Sequence, residues 1–490
     1  MALVSFKHSS IRDFKPQWQI VNDVIAGASK VKSRGTLYLP HPTAYDPADA
    51  EDVARYNAYR TRAVFYGITA RTLRGMVGQI FGRDPKVELP SILKPVELDM
   101  TGSKTPFFQH AKSTCNKAVA LGRVGLFTDY TNVAGREVTQ EDINTGRVRP
   151  TIRMYSEGQI INWRYLINGG QKKLCLVVLY EEEWVVKPGS LFEMIEQKQW
   201  RVLRLDESGN YIQELYTTER GGTPQNIEVK GADGQPLDFI PFEFIGSEDN
   251  DAEIDPVPLY DMADLNLAHY RNSADWEEEL HLHGQATLVA TGMTETWVKN
   301  ILKGRLPLGA RAIVPLPQGA DLKLVQIDPT PTLAAEMERK KTDMISLGAK
   351  LVEHQKSTRT ATEANQDEAA ESSQLSTIAD NVSSAYENSF KHALRFVARG
   401  SNEKVTVELN TEFELTTLDP AERAQLLKEW IAEAITTSEY RGNLRRAGIA
   451  SLDDKSYAKE MQEQTKLFPH LEDNEPAEGD DTQEGGNSNA

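Results

Sequence analysis

Several things are scarce or missing in this chain of 490 residues, and each omission removes a class of function. Cysteine occurs only at Cys115 and Cys175, too few for a disulfide framework and without metal-ligand spacing, so buried thiols in a reducing compartment are expected. No run approaches the ~20 apolar residues that cross a bilayer, and no signal-peptide pattern opens the sequence, so a soluble protein made in the cytoplasm, without membrane contact, is expected. No Gly-x-x-x-x-Gly-Lys-Ser/Thr loop is present, which excludes an ATP-driven motor of that type. Positive charge is also short. The formal net charge is −17, and residues 471–490 carry Glu472, Asp473, Glu475, Glu478, Asp480, Asp481 and Glu484 with no base among them. An acidic body argues against tight clamping of duplex DNA, whose affinity comes from neutralised phosphates, but leaves loose passage of DNA open. Apolar residues make up 39%, slightly low for one compact core and suited to an elongated subunit.

What is there divides into helical and β-rich stretches. Residues 1–45 read as a helix near Pro16 to Ala28 followed by an arm. Asp46-Pro47 then starts a helix, with Asp49, Glu51 and Asp52 at its positive end, whose apolar positions continue through Tyr56, Tyr59, Phe65, Ile68, Leu73 and Met76 to Ile80. Gly67, Gly75 and Gly78 on it are either close-packing positions or simply tolerated glycines. Pro106 to Leu121 is a further helix, capped by Gly122, and Val124 to Tyr130 turns to strand. Between Thr151 and Pro241 strand candidates run Ile160 to Tyr165, Lys173 to Glu181, Trp200 to Asp206 and Tyr211 to Thr217, with Phe239 to Ile245 closing an antiparallel meander. Val405, Val407, Leu409 and Phe413 alternate in one more strand, expected to return to that sheet. Asp419-Pro420 opens helical material to about Lys466, with Tyr440, Leu444 and Ile449 inward, and the acidic tail is low in complexity.

The organising stretch is Pro256 to Gly400. A first helix carries Leu259, Met262, Ala263, Leu267, Tyr270 and Ala274 on one stripe and ends at Gly284. A short insert follows, with β-rich runs at Thr287 to Ala290 and Ala312 to Pro315 and a helical piece from Glu295 to Leu302. A second helix, Pro331 to His354 and roughly 36 Å long, repeats Met337, Met344 and Leu351 at heptad spacing. So narrow an apolar seam is expected to need neighbours. After the polar break Gln355 to Glu363, a third helix of about 55 Å places Leu375, Ile378, Val382, Ala385, Ala393 and Phe396 three and four apart. This order of elements, with Asp264-Leu265-Asn266 and Ser273-Ala274-Asp275 on the first helix, Thr360-Ala361-Thr362-Glu363 in the loop and the turn Ile80-Phe81-Gly82-Arg83-Asp84-Pro85 earlier, resembles the portal proteins of tailed double-stranded-DNA bacteriophages.

The resemblance implies an α+β, portal-like fold. It divides into an arm (1–45), a wing with antiparallel strands (46–255), a two-helix stem (256–283 and 331–354), a small β-containing clip (284–330), a tunnel loop (355–362), a long helix with a returning wing strand (363–415), a helical crown (416–470) and a disordered acidic tail (471–490). It further implies a homo-oligomeric ring, a dodecamer, at the capsid vertex of a virion, without cofactor or catalysis, assembled in the host cytoplasm. The ring would pass double-stranded DNA, dock the terminase large subunit and later a head-completion adaptor, and meet the major capsid and scaffolding proteins. Within that frame Leu259, Met262, Leu267, Met337, Met344 and Leu351 are the expected ring interface. Trp297, Lys303 and Arg305 are the expected clip contacts. Lys356 and Arg359, in a loop with Thr358 and Thr360, are the cations expected to face DNA. A different head-tail connector is the structural alternative.

The enzymatic alternative is a metal-dependent nuclease, which needs converging acids. Glu181, Glu182 and Glu183 are consecutive on a strand, so their side chains alternate faces, and an acidic edge that protects the strand is the better reading. His281 and His283 beside Glu277, Glu278 and Glu279 lie two apart on a helix, where side chains diverge, and match no His-Glu-x-x-His pattern. A basic zone from Lys299 to Arg359, including Arg339, Lys340 and Lys341, reads either as helix-surface ion pairing or as a polyanion contact.

Overall fold

A computed structural model of the chain describes residues 4–42, 44–130, 141, 149–217, 223–227, 229–231, 234–284, 287–301, 316–325, 331–351, 373–398, 403–411, 413, 420–432, 434–446, 450, 452 and 454–467. The fold is mixed α+β with antiparallel sheets, and the chain divides into two compact units, 1–411 and 412–490.

The first residues are not an arm. Helices α1 (Ile11–Ala26) and α2 (Ala28–Ser33) bury Trp18, Val21, Val24 and Val31, and the Trp18 indole donates to the Leu121 carbonyl at 3.1 Å. Burying those apolar side chains outweighs the surface preference that terminal segments usually show. Helix α3 (Ala50–Arg62) is capped by Asp49, whose carboxylate accepts the Glu51 amide. The apolar period then continues into α4 (Ile68–Ile80), yet the two are separate helices, because residues 63–67 are pulled out of helical geometry by hydrogen bonds from elsewhere. Strand β1 (Lys86–Glu88) and the short helix α5 (Lys94–Leu98) lead to α6 (Phe107–Leu121). Gly122 ends α6 with φ 67°, and an added Cβ would lie 2.6 Å from the Pro256 carbonyl oxygen, so only glycine fits the turn.

Two antiparallel sheets follow. Strands β2 (Arg123–Tyr130), β3 (Pro150–Ser156) and β9 (Phe242–Gly246) form a three-stranded sheet in the order β3-β2-β9. Between β3 and β9 the chain makes a five-stranded meander of β4 (Ile160–Asn168), β5 (Gln171–Val186), β6 (Met194–Leu205), β7 (Tyr211–Thr217) and β8 (Gln225–Ile227). The meander is as the alternation predicts, except that the stretch 239–245 joins β2 instead. Strand β4 pairs with β5 only as far as Leu179, and β7 reaches β6 only from Gln199. Beyond those points, among the described residues, β5 and β6 pair only with each other as a two-stranded ribbon, with Trp184 opposite Glu196 and Val186 opposite Met194.

Glu181 sits at the root of that ribbon and is not part of a protective edge. Its carboxylate accepts from the Tyr155 hydroxyl (2.6 Å), Gln199 Nε2 (2.6 Å) and Arg201 Nε (2.7 Å), tying the two sheets together. Burial, the largest single influence, would raise its pKa, but the hydrogen bonds and charge of Arg201 together with the hydrogen bonds from Tyr155 and Gln199 outweigh it and hold the carboxyl below its ordinary range.

The matched pair of long helices comes next. Helix α7 (Tyr260–His283) leads into strand β10 (Thr287–Thr291), the short helix α8 (Glu295–Asn300) and strand β11 (Asp321–Val325), which pairs antiparallel with β10; helix α9 (Pro331–Lys350) returns. Helix α10 (Gln374–Val397) then forms the centre of the first unit. Its described length is about 36 Å, and it buries Ile378, Val382, Ala385, Tyr386, Phe390 and Ala393 against α6, β2 and β9. Ser373 caps it by accepting the Ser376 amide. Strand β12 (Thr406–Glu408) follows, but it pairs with β1 and not with the meander: Val407 lies opposite Val87. The second unit contains α11 (Pro420–Ile431), α12 (Thr437–Arg446) and α13 (Asp454–Leu467). In it Trp430 stacks on Tyr440 at 4.9 Å and the Arg441 guanidinium lies 3.4 Å from the Tyr457 ring centre. The tail 471–490 and Ile449 lie outside the described residues.

Candidate functional site

The helix pair α7–α9 and the β10–β11 hairpin joining it make the candidate site. The helices run in opposite directions: Met262, near the start of α7, packs with Met344 and Leu347 near the end of α9, while His269, about two turns further along α7, faces Lys340 and Lys341. Burial lowers the His269 pKa first, and Lys340 adds to this, so the imidazole is neutral beside those amines. Gly348 sits where an added Cβ would be 3.0 Å from Thr72 Cγ2 and 3.2 Å from Met262 Cε, so this end of α9 is pressed against both α4 and α7.

This geometry changes the reading of the seam. Leu259, Met262, Leu267 and Met344 are buried inside the single chain, each at most 2% exposed, so no neighbouring copy is required to cover them. Met262 and Met344 share a cluster with Ile68. Met337 and Leu351 are half-buried. A heptad-like spacing reports that a helix face is covered, and in this chain α4 and α7 do much of the covering.

The polar residues quoted on α7 have a structural task. Asn266 Nδ2 donates to the Tyr66 carbonyl at 2.8 Å, and Asn266 Oδ1 accepts from Thr69 Oγ1 at 3.0 Å. Ser273 Oγ accepts the Val64 amide (3.1 Å) and donates to the Val64 carbonyl (2.6 Å). Asp275 accepts the Tyr59 hydroxyl at 2.6 Å, and Glu278 pairs with Arg62. Asn266 and Ser273 satisfy backbone groups freed where α3 and α4 part, Asp275 and Glu278 hold side chains of α3, and together they fasten the root of the helix pair to the body. Gly67, Gly75 and Gly78 provide no close packing among the described residues, where an added Cβ at any of them meets nothing within 4 Å.

The other end of the pair is charged and open. Arg339 pairs with Glu336 (2.6 Å) and Asp343 (2.8 Å), Lys340 with Glu336 (3.3 Å) and Lys341 with Glu338 (3.0 Å), so these members of the basic zone are matched locally. Leu280 and Leu282 near the end of α7 are exposed. In the hairpin, Thr287 pairs with Val325 and Thr291 with Asp321; Thr294 caps α8 by accepting the Trp297 amide at 3.4 Å, and Trp297 is half-buried. Lys299 pairs with Glu295 at 2.5 Å. Lys303 and Arg305, and all of Lys356, Thr358, Arg359 and Thr360, lie outside the described residues, as does the stretch 312–315.

Among the described residues no group of three or more His, Cys, Asp or Glu converges so as to hold a metal ion, and no helix is long and apolar enough to cross a membrane. A family model described only as a domain of unknown function, DUF4055, matches residues 258–398, which span α7, the hairpin, α9 and α10. A search of curated proteins finds no match to the chain.

Proposed function

We propose that this chain is a portal subunit: one copy of a ring at a capsid vertex, through which double-stranded DNA is packaged and later ejected. The observation that carries this reading is the antiparallel α7–α9 pair fastened at its root and bearing a β hairpin at its far end, followed by a long core helix, all within the one stretch, 258–398, that a single family model matches. In this reading α7 and α9 are the stem, the β10–β11 hairpin is the clip, and the hairpin docks the terminase large subunit during packaging and a head-completion adaptor afterwards. Lys356 and Arg359 face the DNA as it slides, held weakly and in a salt-sensitive way. The mature location is the virion, with capsid and scaffolding proteins around the wing.

A ring suits this reading physically, because one heterologous contact repeated about an axis closes on itself and satisfies every copy equally. Electron microscopy of the purified full-length chain tests it. Closed rings with a central channel, expected to hold twelve copies, support the proposal; monomers, two-fold dimers or open filaments at all concentrations overturn it. Incubating the same preparation with duplex DNA and Mg²⁺ separates the rival nuclease, for which DNA cleavage would be the decisive result.

A further inference from the structure

The β5–β6 ribbon takes no part in the helix pair or its hairpin. Along its outer half Trp184, Val186 and Met194 share one face, and the turn beyond carries Leu191 and Phe192, which are 88% and 94% exposed. These five side chains leave on the order of 800 Å² of apolar surface in water, about what one partner contributes to a standard-size interface. Among the described residues no strand pairs with either edge of this part, since the pairing with β4 stops at Leu179 and that with β7 at Gln199. A two-stranded ribbon is marginal in water on its own. The turn is nonetheless well defined: Lys187 N–H donates to the Glu193 carbonyl, the Lys187 and Glu193 side chains pair, and Gly189 adopts φ 83°.

The ribbon's charges narrow the partner. Glu182, Glu183, Glu193 and Glu196 outnumber Lys187 and Lys198, so phosphates of nucleic acid or of an anionic bilayer would be repelled. A protein is the fitting class. The same chain carries an apolar groove of about 440 Å³ between α1 and α7, lined by Pro16, Ile20, Leu37 and Leu267 and flanked by the cations Lys15 and Arg271. It is wide enough for an aromatic side chain, and its rim has the opposite sign to the ribbon. Exposure on every copy calls for a partner present wherever the chain is, at matched number, and another copy meets that condition.

We propose that the ribbon tip of one copy, led by Phe192, seats in the α1–α7 groove of the next copy. The contact is heterologous, ribbon to groove, and therefore repeats around a ring; it rests on the portal reading for its closure but not for its existence. Phe192→Ser on the ribbon and Leu37→Glu at the groove test it, because both residues are exposed and neither change disturbs the core. Each variant is expected to raise the concentration for half-assembly about tenfold or more in mass photometry, with an unchanged circular-dichroism melt. In a second arm, Phe192→Cys combined with Leu37→Cys is oxidised; Cys115 and Cys175 are buried and do not compete. A ladder of disulfide-linked multimers on a non-reducing gel supports the contact. Rings that form as in wild type with Phe192→Ser, together with no ladder, overturn the ribbon contact and leave the portal reading standing. A ladder from a protein that forms only open chains supports the contact and overturns the portal reading. A wild type that stays monomeric overturns both.

Discussion

The two ends of the α7–α9 pair are built from the same two helices but held in different ways. At the root, Met344 is fully buried, a methyl group added at Gly348 would press tightly on Thr72 and Met262, and Asn266, Ser273 and Asp275 are committed to the break between α3 and α4. Towards the hairpin the same helices are covered by exposed ion pairs and by Leu280 and Leu282 facing water. A dry, hydrogen-bonded root fixes the direction of the pair, while an open end adds little to stability and is free to meet a partner. A fixed root and an exposed far end suit the stem and docking tip of the proposed portal reading.

The largest break in this contrast should come from Met344. Met344→Ala is expected to cost about 2–5 kcal/mol, and Met344→Asp more, because the carboxylate would be desolvated without a partner. The exposed neighbour Ile345, changed to Ala, should stay within about 0.5 kcal/mol. Denaturant midpoints of the purified variants measure both. Were Met344 a ring contact and not a core residue, Met344→Asp would dissociate rings with the subunit's midpoint unchanged.

The polar clamp comes next in size. Asn266→Ala removes the acceptor of the buried Thr69 hydroxyl and one of two donors to the Tyr66 carbonyl, which keeps the Ile68 amide, an expected loss of about 1–3 kcal/mol, and Ser273→Ala removes the hydroxyl partner of both backbone groups of Val64. Since the two brace one break, their effects should fail to add in a double-mutant cycle. Additive losses would mean that residues 63–67 are not held as one unit.

Much of this architecture could be read from the sequence, and the exceptions share a cause. Helix α6, its Gly122 stop and strand β2 follow from local signals, and so do the strands of the meander, whose alternation and glycine turns lie close together in sequence. The break between α3 and α4 was not legible, because the apolar period runs through it and the groups that open it, on Asn266 and Ser273, come from about 200 residues away in sequence. Val407 signalled a half-covered strand correctly but not its partner, Val87. The heptad of Met337, Met344 and Leu351 signalled a covered face without saying whether α4, α7 or another copy covers it. The ribbon leaves only a weak sign in the sequence, the turn Pro188-Gly189 between Trp184, Val186 and Leu191, Phe192, Met194, because apolar residues on both sides of a turn do not say whether they face a core or water.

The smallest expected effect sharpens the contrast from its open end. Arg339 holds Glu336 by a hydrogen bond that brings the carboxyl pKa down to about 2, a direct mark of the ion pair. A carboxyl lowered in this way adds stability above its unfolded pKa and loses it only as the pH falls through the folded value, so between pH 5 and 7 the pair's contribution should be constant. That contribution should also be slight, since Arg339 is 61% exposed and water and salt screen the pair. Arg339→Ala is therefore expected to leave the denaturant midpoint unchanged at pH 5 and at pH 7, with and without 0.5 M NaCl on the order of a high-salt buffer. A loss comparable to that of Asn266→Ala would show that the ion pairs hold the far end as firmly as the clamp holds the root, and the distinction between a fixed root and an open tip would be lost.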